Sequence, residues 1–268
     1  MIRKLLHRIG LARLLRLYMA MVIPPLWYEI AVLHFRGSFQ SRFMWIPVVS
    51  LPPVLAGGLT SGLLGDGERA RALFRPLAWL MAAVGVAGTA FHVRGVGRQM
   101  GGFTNWKYNV VTGPPIPAPP QVALFGLIGA LAAAAPSRNE TGRLVAAARL
   151  VNVLSYPLLA VEAGYEHWKG GLFNKVMFTP LVLSPLMLLV HLAAILRLRP
   201  GRAVEGPLSA VATVAGLVGF SFHIWNVTHR TGGWSWQNLF YGAPLVAPLQ
   251  MTGQGVLGLL SAAFGGRR

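Results

Sequence analysis

Apolar residues run through this chain in eight long stretches, with approximate limits 17–34, 43–64, 76–93, 109–135, 150–166, 176–196, 207–224 and 239–264, separated by short polar turns. A helix needs about 20 apolar residues to cross the hydrocarbon core of a bilayer. The pattern therefore predicts an all-α integral membrane protein of about eight transmembrane helices. Pro24 and Pro157, inside the first and fifth stretches, predict kinks. Ahead of the first stretch, residues 1–16 read as a basic surface helix, because Arg13 and Arg16 interrupt the apolar run that a signal peptide would have.

Composition agrees with this reading. The 268 residues are 54% hydrophobic and 12% charged, about half the charge of a soluble domain, which is near 25%. There is no Cys, which excludes disulfides, thiolate metal sites, iron–sulfur clusters and c-type haem attachment. Lys and Arg number 24 against 7 Asp and Glu, a net charge of +17. In so apolar a chain that excess belongs in loops beside anionic lipid, and it gives no case for nucleic-acid binding. Threading the stretches back and forth puts 16 Lys and Arg on the side of the termini and 8 on the other. Both termini are expected in the cytoplasm of a bacterial cell, with the chain in the inner membrane. Loops 35–42, 94–108, 167–175 and 225–238 then face outward.

The chain also repeats itself. Shifted by 133 positions, Arg16, Leu17, Pro24, Leu26, Glu29, His34, Gly37, Met44, Pro47, Val49 and Pro52 fall on identical residues from Arg149 to Pro185. That is eleven identities in 37 positions, where about two or three would arise by chance in so biased a composition. At a shift of 131, Gly88, Phe91, His92, Gly101 and Gly102 fall on Gly219, Phe222, His223, Gly232 and Gly233. The expected organisation is two four-helix repeats, 1–135 and 136–268, inserted in parallel about a pseudo-twofold axis along the membrane normal.

Candidate chemistry concentrates at the outer ends of the odd-numbered spans. His34, His92, His167 and His223 close those spans at one depth and form the candidate metal- or haem-binding set. Glu29 and Glu162 lie five residues before His34 and His167, and a carboxyl at membrane depth is a functional candidate by default. They are taken as the catalytic or anionic ligand pair. Arg36, Arg94 and Lys169 follow the His residues closely and could meet haem propionates. Asp66, Glu68, Glu140 and Glu205 are assigned to cytoplasmic loops beside Arg, and His7, His191 and His229 are set aside. Trp45, Trp106, Trp168, Trp225, Trp234 and Trp236 read as an interfacial belt.

The chain lacks the clustered His boxes of membrane desaturases and the nucleophile elbow of hydrolases. Three functions remain. The first is a redox subunit of a membrane oxidoreductase, binding haem b or a non-haem transition metal and exchanging electrons with a quinone or an outer partner subunit. The second is a membrane anchor or pigment-binding scaffold without catalysis. The third is a cation or proton-coupled transporter using Glu29 and Glu162, placed last because the cytoplasmic halves of the spans read as almost free of polar residues.

Overall fold

The computed structural model describes residues 2–135 and 140–266. The expected repeat boundary at 135/136, and Arg138, Arg267 and Arg268 from the charge count, fall outside the described residues. Those described form α-helices and short turns, with no strand among them: α1 (Ile2–Ile9), α2 (Leu11–Arg36), α3 (Trp45–Leu64), α4 (Glu68–Gly97), α5 (Trp106–Thr112), α6 (Ala118–Ala134), α7 (Thr141–Lys169), α8 (Thr179–Ile195), α9 (Arg199–His229), α10 (Trp236–Tyr241) and α11 (Leu249–Phe264).

Six helical segments are long and apolar enough to cross a membrane: Leu11–Arg36, Arg42–Leu64, Glu68–Gly97, Thr141–Lys169, Lys175–Ile195 and Arg199–His229. The stretches expected to span over 109–135 and 239–264 are each broken into two helices. Proline has no N–H to donate and disfavours helix at the residue before it, so Pro114, Pro115 and Pro117 separate α5 from α6. Gly242 and Pro244 open the corresponding gap before α11. What remains is 17 residues in α6 and 16 in α11, about 25 Å of helix at 1.5 Å per residue, less than the roughly 30 Å core. The basic surface helix is also shorter than expected. It ends at Ile9, where Gly10 takes a left-handed φ of 89°, and Arg13 and Arg16 belong to α2.

α2 packs on α3 and α7 on α8, while α4 lies along α6 and α9 along α11. The last two pairs approach through glycine. Gly85 and Gly126 leave no room for a Cβ against Ala123 and Ala82, and Gly216 and Gly255 leave none against Thr252 and Thr213. Small residues allow backbones this close, which is how helices associate without a hydrophobic driving force between them. α2, α6, α7 and α11 meet at the centre. Leu15, Met19, Ile23, Phe74 and Met81 are fully buried, whereas Val49, Leu64, Val86 and Val182 are exposed on their helices, as side chains facing lipid would be.

The termini of α2 and α7 nearest α1 lie at one end of the bundle, here the basic end; the opposite one is the histidine end. There α2 and α7 finish alike. Phe39 and Leu172 take left-handed φ values of 44° and 48°, uncommon for bulky residues. Their N–H groups donate to His34 O and His167 O, each at 3.1 Å.

Candidate functional site

The four histidines of the candidate set, at the histidine end, are all tied through the same ring nitrogen. Nδ1 of His34 bonds Met44 O at 2.7 Å, Nδ1 of His167 bonds Met177 O at 2.7 Å, Nδ1 of His92 bonds Pro115 O at 2.8 Å and Nδ1 of His223 bonds Pro244 O at 2.5 Å. A carbonyl only accepts, so each Nδ1 carries a proton, and each ring in its neutral form presents a lone pair on Nε2. The ring centroids of His34 and His92 are 6.5 Å apart, and His223 lies within electrostatic reach of His167. This differs from the pairing that a twofold axis suggests, His34 with His167 and His92 with His223. Successive helices pack on one another, α2 on α3 and α3 on α4, and so gather each pair within its own half of the chain. Among the described residues no three His, Asp or Glu side chains converge to hold a metal ion.

Two of the cations expected to meet propionates are engaged elsewhere. Arg36 donates to Phe240 O and, at 2.9 Å, to Gly242 O. Lys169 donates to Val111 O at 3.4 Å and pairs with Glu166 at 2.5 Å. Both thus reach carbonyls at the C-terminal end of a short helix, α10 or α5, where unpaired carbonyls attract cations. Arg94 is exposed. The six tryptophans expected in a belt are all exposed as well.

Glu29 on α2 and Glu162 on α7 point into the bundle. Glu162 Oε2 accepts from Gln121 Nε2 at 3.3 Å and lies within electrostatic reach of both Glu29 and Glu166. Glu29 Oε2 is sealed from the surface without a hydrogen-bond partner among the described residues. Neither Glu29 nor Glu162 forms an ion pair among the described residues; the nearest cationic influence on Glu29 is Arg36.

A second polar group lies towards the basic end, built from residues that the sequence reading had assigned to a loop or set aside. Glu205 is inside α9 and 1% exposed. Arg149 grips it with two bonds, Nε to Oε1 at 2.8 Å and Nη2 to Oε2 at 2.7 Å, and Ser261 Oγ donates to Oε1 at 2.8 Å. His191 Nδ1 faces Oε1 at 3.2 Å, and its Nε2 accepts from Asn152 Nδ2 at 3.0 Å. Asn152 Nδ2 also donates to Gln254 O at 3.1 Å, which fixes the orientation of its amide, and Gln254 Nε2 donates to Gln121 Oε1 at 3.1 Å. Hydrogen bonds therefore link Arg149 to Glu162, through side chains except at Gln254, which accepts from Asn152 on its backbone carbonyl and donates to Gln121 from its side chain. The signal that could have found them is a mismatch within the repeat: at the 133 shift, Asn152 and His191 fall on Met19 and Gly58.

The glycine loops are closed by an asparagine clamp. Asn109 Nδ2 donates to Met100 O and Gly102 O, and Asn238 Nδ2 to Thr231 O and Gly233 O. Comparison of the chain with family models, with curated proteins and with solved structures returns no match.

Proposed function

We propose that the protein is an integral-membrane carrier that moves protons or a small cation through its interior, with Glu29 and Glu162 as the binding pair. One observation carries this reading. The two carboxyls enter the bundle from α2 and α7, lie in each other's field, and have no ion-pair partner among the described residues. Removing an unpaired carboxylate from water costs several kcal/mol, and a neighbouring carboxylate adds repulsion. A proton or a bound cation relieves both. The apolar character expected of the basic-end half-spans counted against transport, and the Arg149–Glu205–His191 group removes that objection.

The proposal includes the architecture: eight membrane-embedded helices in two parallel repeats, 1–135 and 136–268, with the basic end in the cytoplasm. Like contacts at like positions support it. His34 and His167 bond Met44 and Met177, Phe39 and Leu172 share one backbone conformation, and Arg36 and Lys169 each reach into the opposite half. The test is flux into vesicles holding the purified chain and a trapped pH or cation indicator. Replacing Glu29 and Glu162 together by Gln should leave insertion intact and abolish flux; undiminished flux overturns the reading. A cysteine at Ser38 should react with an impermeant reagent in intact cells.

A second reading rests on the Nδ1 bonds. Ligating histidines characteristically donate their other ring nitrogen to a carbonyl, which fixes the tautomer. On that reading His34 with His92, and His167 with His223, bind a cofactor in a redox subunit served by a quinone or an outer partner. Two imidazoles suit axial ligation of haem b better than a non-haem ion, for which no third ligand converges. Haem would give a visible band lost in His92→Ala; elemental analysis would reveal any other metal. A colourless, metal-free preparation sinks this reading.

A further inference from the structure

The polar groups inside the bundle extend well below the carboxyl pair. From Arg149 to Glu162 along α7 is about 20 Å at 1.5 Å per residue, roughly two-thirds of the hydrocarbon core. Over that depth the contacts pass from Glu205 to His191, Asn152, Gln254, Gln121 and Glu162. A purely structural ion pair would need only Arg149 and Glu205. It would not explain a histidine and three amides stacked beyond it, each in a position where an apolar side chain would remove a burial cost.

Amide groups do not themselves pass protons readily, and the same interior supplies what water would need. Asn152 Oδ1, Gln254 Oε1, Tyr156 Oη, Ser155 Oγ and Ser209 Oγ have no hydrogen-bond partner among the described residues, and all five residues are fully buried. An unsatisfied buried polar group costs about 1–3 kcal/mol, a cost that a water bridging two to four such groups removes. Asn152, Ser155 and Tyr156 share one face of α7. Ser209 and His191 both pack against Gly258 on α11, where a Cβ would leave them no room, so the glycine brings the Ser209 hydroxyl and the His191 ring together.

We infer that these groups hold a file of water that conducts protons between the basic end and Glu162, with His191 as the station where the proton is taken up. This inference rests on the carboxyl pair being the protonatable site. Neutral His191 donates Nδ1–H to Glu205 and accepts at Nε2. A proton added at Nε2 turns that nitrogen into a donor, which Asn152 Nδ2 cannot accept. Rotating the Asn152 amide, which gives up the Nδ2 bond to Gln254 O, presents its Oδ1 instead. The imidazolium is balanced by Glu205, which Arg149 and Ser261 hold in place; the Tyr156 ring, 5.9 Å away and stacked, completes the surroundings of His191. The proton then leaves Nε2 through the water file to a Glu162 oxygen, which becomes a carboxyl, and His191 returns to its neutral form.

The test follows the carboxyl C=O infrared band of the full chain in vesicles of known orientation after a pH jump on one side. Glu162→Gln identifies the band; if no band is lost, the carboxyl-pair reading itself fails. If the band is identified, His191→Gln should slow its response to a jump at the basic end by about tenfold or more, and leave its response at the histidine end unchanged. Gln254→Leu, in the middle of the file, should do the same if His191→Gln does not fold. A wild-type response rate in a folded variant overturns the water file and leaves the carboxyl pair standing.

Discussion

Arg16 and Arg149 occupy matching places on α2 and α7, yet the interiors beside them differ in kind. Near Arg16, Phe74 and Met19 close on Gly58 as an apolar core, and the guanidinium turns to Gly65 O, at 2.6 Å, and to Asp66, at 2.8 Å, whose side chain is 54% exposed. Near Arg149, the places of Met19, Gly58 and Phe74 are taken by Asn152, His191 and Glu205, and the ion pair is buried. One backbone arrangement thus supports both a dry core and a polar one. Packing alone does not require the polar version, since the first region folds without it. The difference makes the second region the place where the proposed proton route can be tested against a dry counterpart.

The comparison breaks most sharply at the carboxylate. Glu205→Ala leaves Arg149 and His191 buried without their acceptor, and should cost about 3–5 kcal/mol of stability in detergent unfolding. A loss below 1 kcal/mol would mean that water already reaches this pair. Next come the glycine crossings, where the two regions should behave alike. Gly126→Leu and Gly255→Leu each drive a side chain into the facing helix, with an expected loss of about 1–3 kcal/mol or more, measured as matching drops in melting temperature. Unequal drops would show that α4–α6 and α9–α11 are held differently. A smaller effect is expected from giving the second region the first one's core. Arg149→Met, Asn152→Met, His191→Gly and Glu205→Phe together should retain stability to within about 2 kcal/mol, since apolar replacement of a whole buried ionic group is often neutral, while removing proton uptake. The smallest effect belongs to Asp66→Ala, about 1 kcal/mol or less, because an exposed partner contributes little.

Much of the architecture was legible in the apolar stretches, because period and length are what a bilayer selects. The breaks before α6 and α11 were present as Pro114, Pro115, Pro117 and Pro244, but a hydropathy pattern counts proline within an apolar run as continuity. Arg16 and Arg149 read as loop or interfacial charges because membrane-end arginines usually are, and Glu205 read as their solvated neighbour. Whether such a charge is buried depends on tertiary contacts between α7, α8, α9 and α11 that no local window contains. His191 falls outside the candidate set because it lies in the sixth stretch, towards the cytoplasmic side, although a polar residue facing an apolar counterpart in the repeat is the signal that two copies differ there. His34, His92, His167 and His223 were legible as a recurring set. Their Nδ1 bonds and within-half pairing depend on how the loops fold back.

The bonds from Arg36 to the end of α10 and from Lys169 to the end of α5 have a mechanical consequence. Each half extends a charged arm that clasps the rim of the other, so the histidine end behaves as a buckle fastened at two points. Both clasps are charge-assisted and sit beside helix ends, so they fasten the two rims where α2 and α7 finish. The swing that the proposed carrier would need is therefore expected to be smallest at that rim and widest at the level of Arg16 and Arg149, as in tongs pinned at one end.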